Sequence, residues 1–376
     1  MLLLFISTLL HAYVGARIAP DLPSGPWTVL FIALVGASAL LMPMGLLARN
    51  VRTQPLSDRL AWAGSLAMGL FSSLFVLTLV RDVLLLLGWA LPWSLPGLAG
   101  DTAVAVPVLG LVVTLWGFVN ARRTATVVSV DVPIKDLPAA LHGFTIAQIS
   151  DIHVGPTIKR PYLNRIVEAV NALGADMVAV TGDLVDGSVR DLGVHVAPLA
   201  SLTSRHGTFF VTGNHEYYSG APAWVAELRR LGLTVLMNEH VVLEHGVSSL
   251  VVAGVTDHGA HHFDPAERSD PHAAIAGAPP HATVRLLLAH QPRSAEVAEQ
   301  AGFQLQLSGH THGGQFLPWN LFVRLQQPFT AGLHKLRRLW VYTSRGTGYW
   351  GPPKRFGAPS EITRLRLVPM PVHAAV

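Results

Sequence analysis

The chain has 376 residues and a net charge of +4, with no run of Lys or Arg and no basic stripe interleaved with aromatics, which excludes a nucleic-acid footprint. It contains no cysteine, which excludes disulfides and thiolate metal sites and leaves His, Asp, Glu and Asn to hold any metal. Its length exceeds that of one compact domain, and composition divides it: residues 1–120 carry no Lys and no Glu, only Arg17, Arg49, Arg52, Arg59, Arg81, Asp21, Asp58, Asp82 and Asp101.

Within that first part, uncharged apolar runs at 26–48 and 60–80 are each long enough to cross the roughly 30 Å hydrocarbon layer as a helix. Residues 102–119 form a third run, and residues 1–16 a shorter one that holds His11. The first run has no basic residue before it and no small-x-small cleavage site, so it is expected to remain as a span and not to be a signal peptide. The expectation is a transmembrane anchor over residues 1–120 with spans at about 1–18, 26–48, 60–82 and 102–120. Arg49, Arg52 and Arg59 lie between the second and third spans, and Arg122 and Arg123 follow the fourth. Basic loops are retained in the cytoplasm, so a multi-pass inner-membrane protein with a cytoplasmic C-terminal domain is expected. Neighbouring Arg81 and Asp82 read as an ion pair at a span end, and residues 83–97, with two Pro and two Trp, as interfacial chain.

Residues 121–142 form a linker with a first strand, and residues 143–376 alternate short apolar runs with helical patterns, an α/β arrangement. Strands are expected at 144–149, 176–181, 208–212, 249–255, 283–289 and 303–308, and helices at 159–173, about 191–203, 221–232 and 292–302. Five of the strands run directly into residues that bind metals or phosphates: SDIH (150–153), GDLVD (182–186), GNHE (213–216), AHQ (289–291) and GHTH (309–312). Taken singly, each has an ordinary reading as a cap, a turn or a core histidine. Ligands in α/β sheets gather beyond the carboxyl ends of strands, so five such loops in order point to one site.

At these positions the sequence resembles the calcineurin-like metallophosphoesterase superfamily, whose pattern D-x-H, G-D-x-x, G-N-H-[DE], H and G-H-x-H is matched in all five blocks. GHTHGGQ (309–315) with YTSRGTGYWGPPKRFGAPSEIT (342–363) is similar to a membrane-anchored bacterial branch, and the resemblance covers about residues 125–368. It implies a sandwich of two mixed sheets flanked by helices, over residues 143–376. It also implies two divalent ions, Mn, Fe or Zn with Mn favoured, the metals that imidazole, carboxylate and amide ligands suit. Carried over residue by residue, Asp151, His153, Asp183 and His312 hold one ion, and Asp183, Asn214, His290 and His310 hold the second, with Asp183 shared. His215 becomes the general acid, acting beside Asp183 and Asn214, and Asp186 a supporting residue. A hydroxide between the ions is the expected nucleophile, which explains the lack of a Ser or Cys in that role.

Tyr217, Tyr218, Arg345, Tyr349 and Trp350 are candidates to line the substrate cleft, with Tyr217, Arg345 and Trp350 put forward as substrate-binding. The HGAHH stretch (258–262) reads as a surface loop and not as a further metal site. The expected function is hydrolysis of a phosphodiester or pyrophosphate bond, and tethering suggests a substrate that is itself lipid-linked; some members of the resembling family are UDP-diacylglucosamine pyrophosphohydrolases. The alternatives are an anchored nucleotide or protein phosphomonoesterase, and a non-catalytic metal-binding membrane scaffold. The intact His215 argues against the scaffold.

Overall fold

The computed structural model describes residues 1–51, 53–91, 96–280 and 282–371. The chain forms two compact units, Met1–Arg122 with Gly351–Phe356, and Arg123–Trp350 with Gly357–Val376. Arg52 and residues 92–95, on which part of the sequence-based orientation rests, lie outside the described residues.

The first unit is built from α1 (Leu2–Ile18), α2 (Pro26–Leu46), α3 (Leu56–Ala90) and α4 (Leu98–Arg122), all long and apolar enough to cross a membrane. Leu30, Ile32, Leu34, Val108 and Leu115 face outward, while Val14, Phe31, Val35, Phe71, Leu74 and Val106 pack inside. Helices that are apolar on every side require apolar surroundings. Gly45 of α2 and Gly64 of α3 lie so close that a Cβ on either would collide with the backbone of the other. α3 continues to Ala90, beyond the expected end at 82, because no Pro interrupts the apolar run before Pro92.

Arg81 and Asp82 do not pair with each other, since consecutive helical residues point in different directions. Arg81 is buried, pairs with Asp21, and donates to the Arg17 carbonyl at 2.8 Å and to Thr102 Oγ1 at 3.1 Å. Asp82 accepts from the Tyr13 hydroxyl at 2.6 Å and pairs with Arg17 at 2.8 Å. Together these bonds tie α1, α3 and α4 at one end. Lys354 is also buried in this unit, its Nζ donating to the Gly69 carbonyl at 2.8 Å and to Thr114 Oγ1 at 3.3 Å.

The second unit carries β1 (Thr126–Ile134), β2 (Thr145–Ile149), α5 (Arg160–Asn171), β3 (Met177–Val180), α6 (Val189–Val196), β4 (Thr208–Phe210), α7 (Asn214–Ser219), α8 (Ala221–Arg230) and β5 (Thr234–Val235). It continues with β6 (Glu239–His245), β7 (Ser248–Gly254), α9 (Pro271–Ile275), β8 (Val284–Leu288), α10 (Ala295–Gln300), β9 (Leu305–Ser308), α11 (Asn320–Val323), β10 (Gly332–Leu336), β11 (Leu339–Thr343) and β12 (Glu361–Pro369). Two mixed sheets result, ordered β1-β12-β2-β3-β4-β5 and β10-β11-β9-β8-β7-β6. Ile146, Met177 and Phe209 of the first sheet meet Leu250, Leu286, Leu305 and Tyr342 of the second in one core, the sandwich that the resemblance implies. On the outer face of the second sheet, Ala274 of α9 and Ala295 and Ala298 of α10 cover Ala253, Leu287 and Val341.

The helix expected over 191–203 is shorter, since Pro198 cannot continue an α-helical ladder and the chain passes into a 3₁₀ turn at Ala197–Ser201. The region expected as a helix over 292–302 likewise opens with a 3₁₀ turn at Pro292–Ser294 before α10. Strands β2, β3, β4 and β5 run parallel, as do β7, β8, β9 and β11. Their carboxyl ends therefore point the same way within each sheet.

Candidate metal centre

All five ligand-rich loops leave the carboxyl ends of parallel strands: SDIH follows β2, GDLVD follows β3, GNHE follows β4, AHQ follows β8 and GHTH follows β9. Three of the five turn through left-handed backbone. Asp151, His153, Asp183, His310 and His312 all adopt left-handed backbone conformations, with φ of 53°, 56°, 50°, 71° and 51°. Non-glycine residues hold such conformations only where their surroundings impose them, and they concentrate at functional sites. Here the restraint is visible: the amide of Asp151 donates to the Gly182 carbonyl at 3.0 Å, and that of His153 to the Asp183 carbonyl at 3.1 Å. Gly213 and Gly309 are required for a different reason, since a Cβ there would fall on the carboxylates of Asp183 and Asp151 respectively.

Three groups of donor atoms result: a first of Asp151, His153 and His312, a second of Asp183, His290 and His310, and a third of His153, Asp186 and His215 that shares His153 with the first. His153 Nε2 and His312 Nε2 are 3.0 Å apart, and His312 Nε2 is 3.5 Å from Asp151 Oδ1. In the second cluster His290 Nε2 lies 3.1 Å from Asp183 Oδ2 and 3.2 Å from His310 Nδ1. Asp183 Oδ2 is also 4.0 Å from His153 Nε2, so this carboxylate stands between the clusters. His290 Nδ1 is held 2.7 Å from the Thr181 carbonyl, which orients the ring and turns Nε2 toward Asp183 and His310.

The donor set fits divalent cations. Nitrogen atoms packed this closely, with carboxylates beside them and no sulfur, match Mn, Fe or Zn. Asn214 Oδ1 supplies an independent sign, because it is buried without a hydrogen-bond partner among the described residues. A buried amide oxygen is normally satisfied, and this one belongs to the residue before His215, whose amide donates to Asp183 Oδ1 at 2.9 Å. His310 is held neutral, the form that ligates a metal: burial first, then the neighbouring His290, lowers its pKa to about 3.

His215, in the third group, sits beside the first two. Its Nδ1 contacts Asp186 Oδ1 at 2.5 Å and its Nε2 lies 4.0 Å from Asp183 Oδ2. Burial disfavours the charged ring, but the Asp186 hydrogen bond and the charge of Asp183 outweigh it and raise the pKa to about 9. Asp186 also contacts His153 Nδ1 at 3.1 Å; burial opposes its ionisation, yet the two histidines hold its carboxyl at about 2. One carboxylate thus orients a candidate ligand and the candidate acid together.

Glu216 was passed over in the sequence except as the last letter of its motif. Its buried carboxylate accepts the amides of Asp183 at 3.0 Å, Leu184 at 2.8 Å and Gly213 at 2.6 Å, so it clamps two of the five loops together. The available signal was its place three residues after Gly213 at the start of α7, where an acidic side chain reaches back to free amides.

The cleft candidates separate. Tyr217 turns inward, its hydroxyl donating to Glu267 at 2.6 Å, and packs with Ala221 and Ala260. Tyr349 is buried, with its hydroxyl donating to the Thr157 carbonyl at 3.3 Å. Arg345 is engaged by the buried carboxylate of Glu361 at 2.6 Å. Trp350 and Tyr218 are exposed and stand edge-on to His215, with ring centroids at 5.5 and 5.4 Å. The histidines at 258, 261 and 262 sit on the surface, outside the clusters.

Residues 144–314 match the family described as calcineurin-like phosphoesterase. The chain is 35% identical over 376 residues to a transmembrane protein with metallophosphoesterase domain of Danio rerio, covering 94% of this chain and 83% of that protein. A Bos taurus protein of the same description is 39% identical over 316 residues, 79% of this chain and 70% of its own length. An uncharacterised metallophosphoesterase of Helicobacter pylori is 41% identical over 229 residues, 60% of each chain. With this fold and this cluster of Asp and His at its strand ends, the chain belongs to the calcineurin-like metallophosphoesterase family, metal-dependent hydrolases of phosphoester bonds.

Proposed function

We propose that the protein is a membrane-anchored two-metal phosphohydrolase that cleaves a phosphodiester or pyrophosphate bond in a lipid-linked substrate. The observation that supports the two-metal reading is that Asp183, a member of the group with His290 and His310, also has its Oδ2 4.0 Å from His153 Nε2 of the group with Asp151 and His312. Asp151, His153, Asp183 and His312 would hold one ion, and Asp183, Asn214, His290 and His310 the other, with manganese the favoured metal. Bound there, divalent ions supply Lewis acidity to a phosphoryl group and a nucleophile at neutral pH.

The remaining chemistry belongs to side chains. Asp186, ionised, accepts a hydrogen bond from Nδ1–H of His215, and the raised pKa of His215 keeps a second proton on Nε2, facing the centre. His215 donates that proton to the departing oxygen, which would otherwise leave as a high-energy alkoxide or phosphate anion. Glu216 keeps the loops that carry Asp183 and Asn214 fixed, so the donors need no rearrangement when substrate arrives. Tyr218 and Trp350 border His215 and offer aromatic surface to an apolar or aromatic leaving group. The arginines that flank the expected spans support a cytoplasmic catalytic domain at the inner membrane.

The test uses the full chain in detergent micelles with added Mn, assayed on a phosphomonoester, a phosphodiester, a nucleotide pyrophosphate and a phospholipid. Turnover that requires metal and favours the lipid-borne diester or pyrophosphate is expected. Preference for a soluble phosphomonoester would replace the reading with an anchored nucleotide or protein phosphatase.

A further inference from the structure

The exposed apolar side chains of the second unit are unevenly placed. Immediately after the GHTHGGQ turn, Leu317, Trp319, Leu321, Phe322 and Leu325 are all exposed, Leu321 by 67% and Leu325 by 81%. Tyr218 and Trp350, exposed as well, stand edge-on to His215, and the exposed Phe263 packs on Tyr218. Elsewhere in the unit, the exposed large apolar side chains among the described residues are the valines at 127, 194, 247 and 297. Single exposed valines are ordinary; a run of Leu, Trp and Phe in one short segment is not.

The segment is a formed platform. Several of its amides are bonded within it: Leu321 donates to the Pro318 carbonyl at 3.0 Å, Phe322 to Trp319 at 3.0 Å, Leu325 to Phe322 at 3.0 Å and Gln327 to Val323 at 2.9 Å. Both ends are pinned. Gln315 donates to the Trp350 carbonyl at 2.9 Å and accepts the Trp350 amide at 2.9 Å, which joins the segment to the aromatic side of the centre. Thr311, between His310 and His312, donates to the Thr330 carbonyl at 2.6 Å.

We infer that residues 317–325 and Trp350 form a rim that rests in the headgroup and acyl boundary of a phospholipid bilayer, and so presents a bilayer-borne phosphoester to the centre. Three features select a bilayer over a protein partner. The segment mixes Trp, Phe and Leu with the exposed Arg324, the composition of chain that lies in a membrane interface. The amides of Trp319, Leu321, Phe322 and Leu325 are already bonded to nearby carbonyls, which lowers the cost of contact with lipid. Four helices long and apolar enough to span a membrane belong to the same chain, so a bilayer is its constant neighbour at high effective concentration. The contact itself rests on these surfaces; only its consequence for substrate rests on the lipid-linked reading above.

Because the chain has no cysteine, one can be introduced as a unique label site. Full-chain Leu321→Cys and Leu325→Cys, with Val247→Cys as an exposed reference, are labelled with a small fluorophore and placed in phosphatidylcholine nanodiscs. Lipid carrying a nitroxide high on the acyl chain should quench the 321 and 325 labels about threefold more than the 247 label, with iodide showing the reverse order. Iodide quenching equal to that at 247, with no effect of the lipid nitroxide, would overturn the inference. Protection from both quenchers would also overturn it, in favour of a protein cover. Neither readout depends on turnover, so failure of the hydrolase reading would leave the quenching result standing. If the chain hydrolyses both substrates, Leu321→Ser with Leu325→Ser should lower turnover of a vesicle-borne phosphodiester relative to soluble bis(p-nitrophenyl) phosphate by about tenfold.

Discussion

The two units treat buried polar groups in opposite ways. In the helical unit Arg81, His11 and Lys354 are each answered from within: Arg81 by Asp21 and three further acceptors, His11 by the Ser7 carbonyl at 2.7 Å and Ser38 Oγ at 2.9 Å, Lys354 by a carbonyl and hydroxyls. At the strand ends of the other unit, imidazoles crowd together, five non-glycine residues adopt left-handed backbone, and Asn214 Oδ1 has no partner among the described residues. Polar groups of the first kind hold helices together where water is absent. Those of the second kind are held ready for a ligand, and the backbone bears strain to keep them so.

That contrast can be broken by substitution, and the largest effect is expected at Asp183. Asp183→Asn should abolish metal-dependent hydrolysis and lower the metal bound per full-length chain; unchanged metal content and turnover would remove Asp183 from between the clusters. His215→Ala should keep its metal while kcat falls about 10²–10⁴-fold, the range for loss of a general acid. A parallel loss of metal would show that His215 acts as a ligand instead. Asp186→Asn should cost about 10–100-fold and displace the pH profile, since it alters the charge that orients His153 and His215. A purely structural role would lower thermal stability with no change in profile.

In the helical unit the expected effect is on stability and not on chemistry. Arg81→Met should lower unfolding stability in detergent by about 1–2 kcal/mol, a buried-pair loss discounted because Asp21 is 39% exposed. Metal content should not move, and a loss of metal in this variant would erase the division between the units. Smallest is Trp350→Ala, for which a few-fold rise in KM with kcat nearly constant would fit a residue that borders the leaving group; a fall in kcat alone would place it in the chemistry.

Much of the site was legible because each candidate ligand follows a short apolar run, and loops beyond parallel strands share one end of a sheet. The apolar spans were legible because length and composition alone specify them. Other elements were not. β6 and β10 carry Glu239, His240, His245, His334 and Lys335, which hide their alternation, and β12 reaches its neighbours β1 and β2 across more than two hundred residues of intervening chain. Arg81 and Asp82 misled as a pair, because adjacency in sequence is not adjacency around a helix.

By itself the sequence determined the residue types at the strand ends, their order along the chain and the apolar character of the helices, all of which are local properties. Only the tertiary structure decided which donors meet, that Asp186 serves two histidines, that Glu216 joins two loops, and that Tyr217 turns inward while Tyr218 and Trp350 stay exposed. Those outcomes depend on distances between atoms far apart in the chain, which periodicity and spacing do not encode and which the packing of two sheets against a shared core fixes.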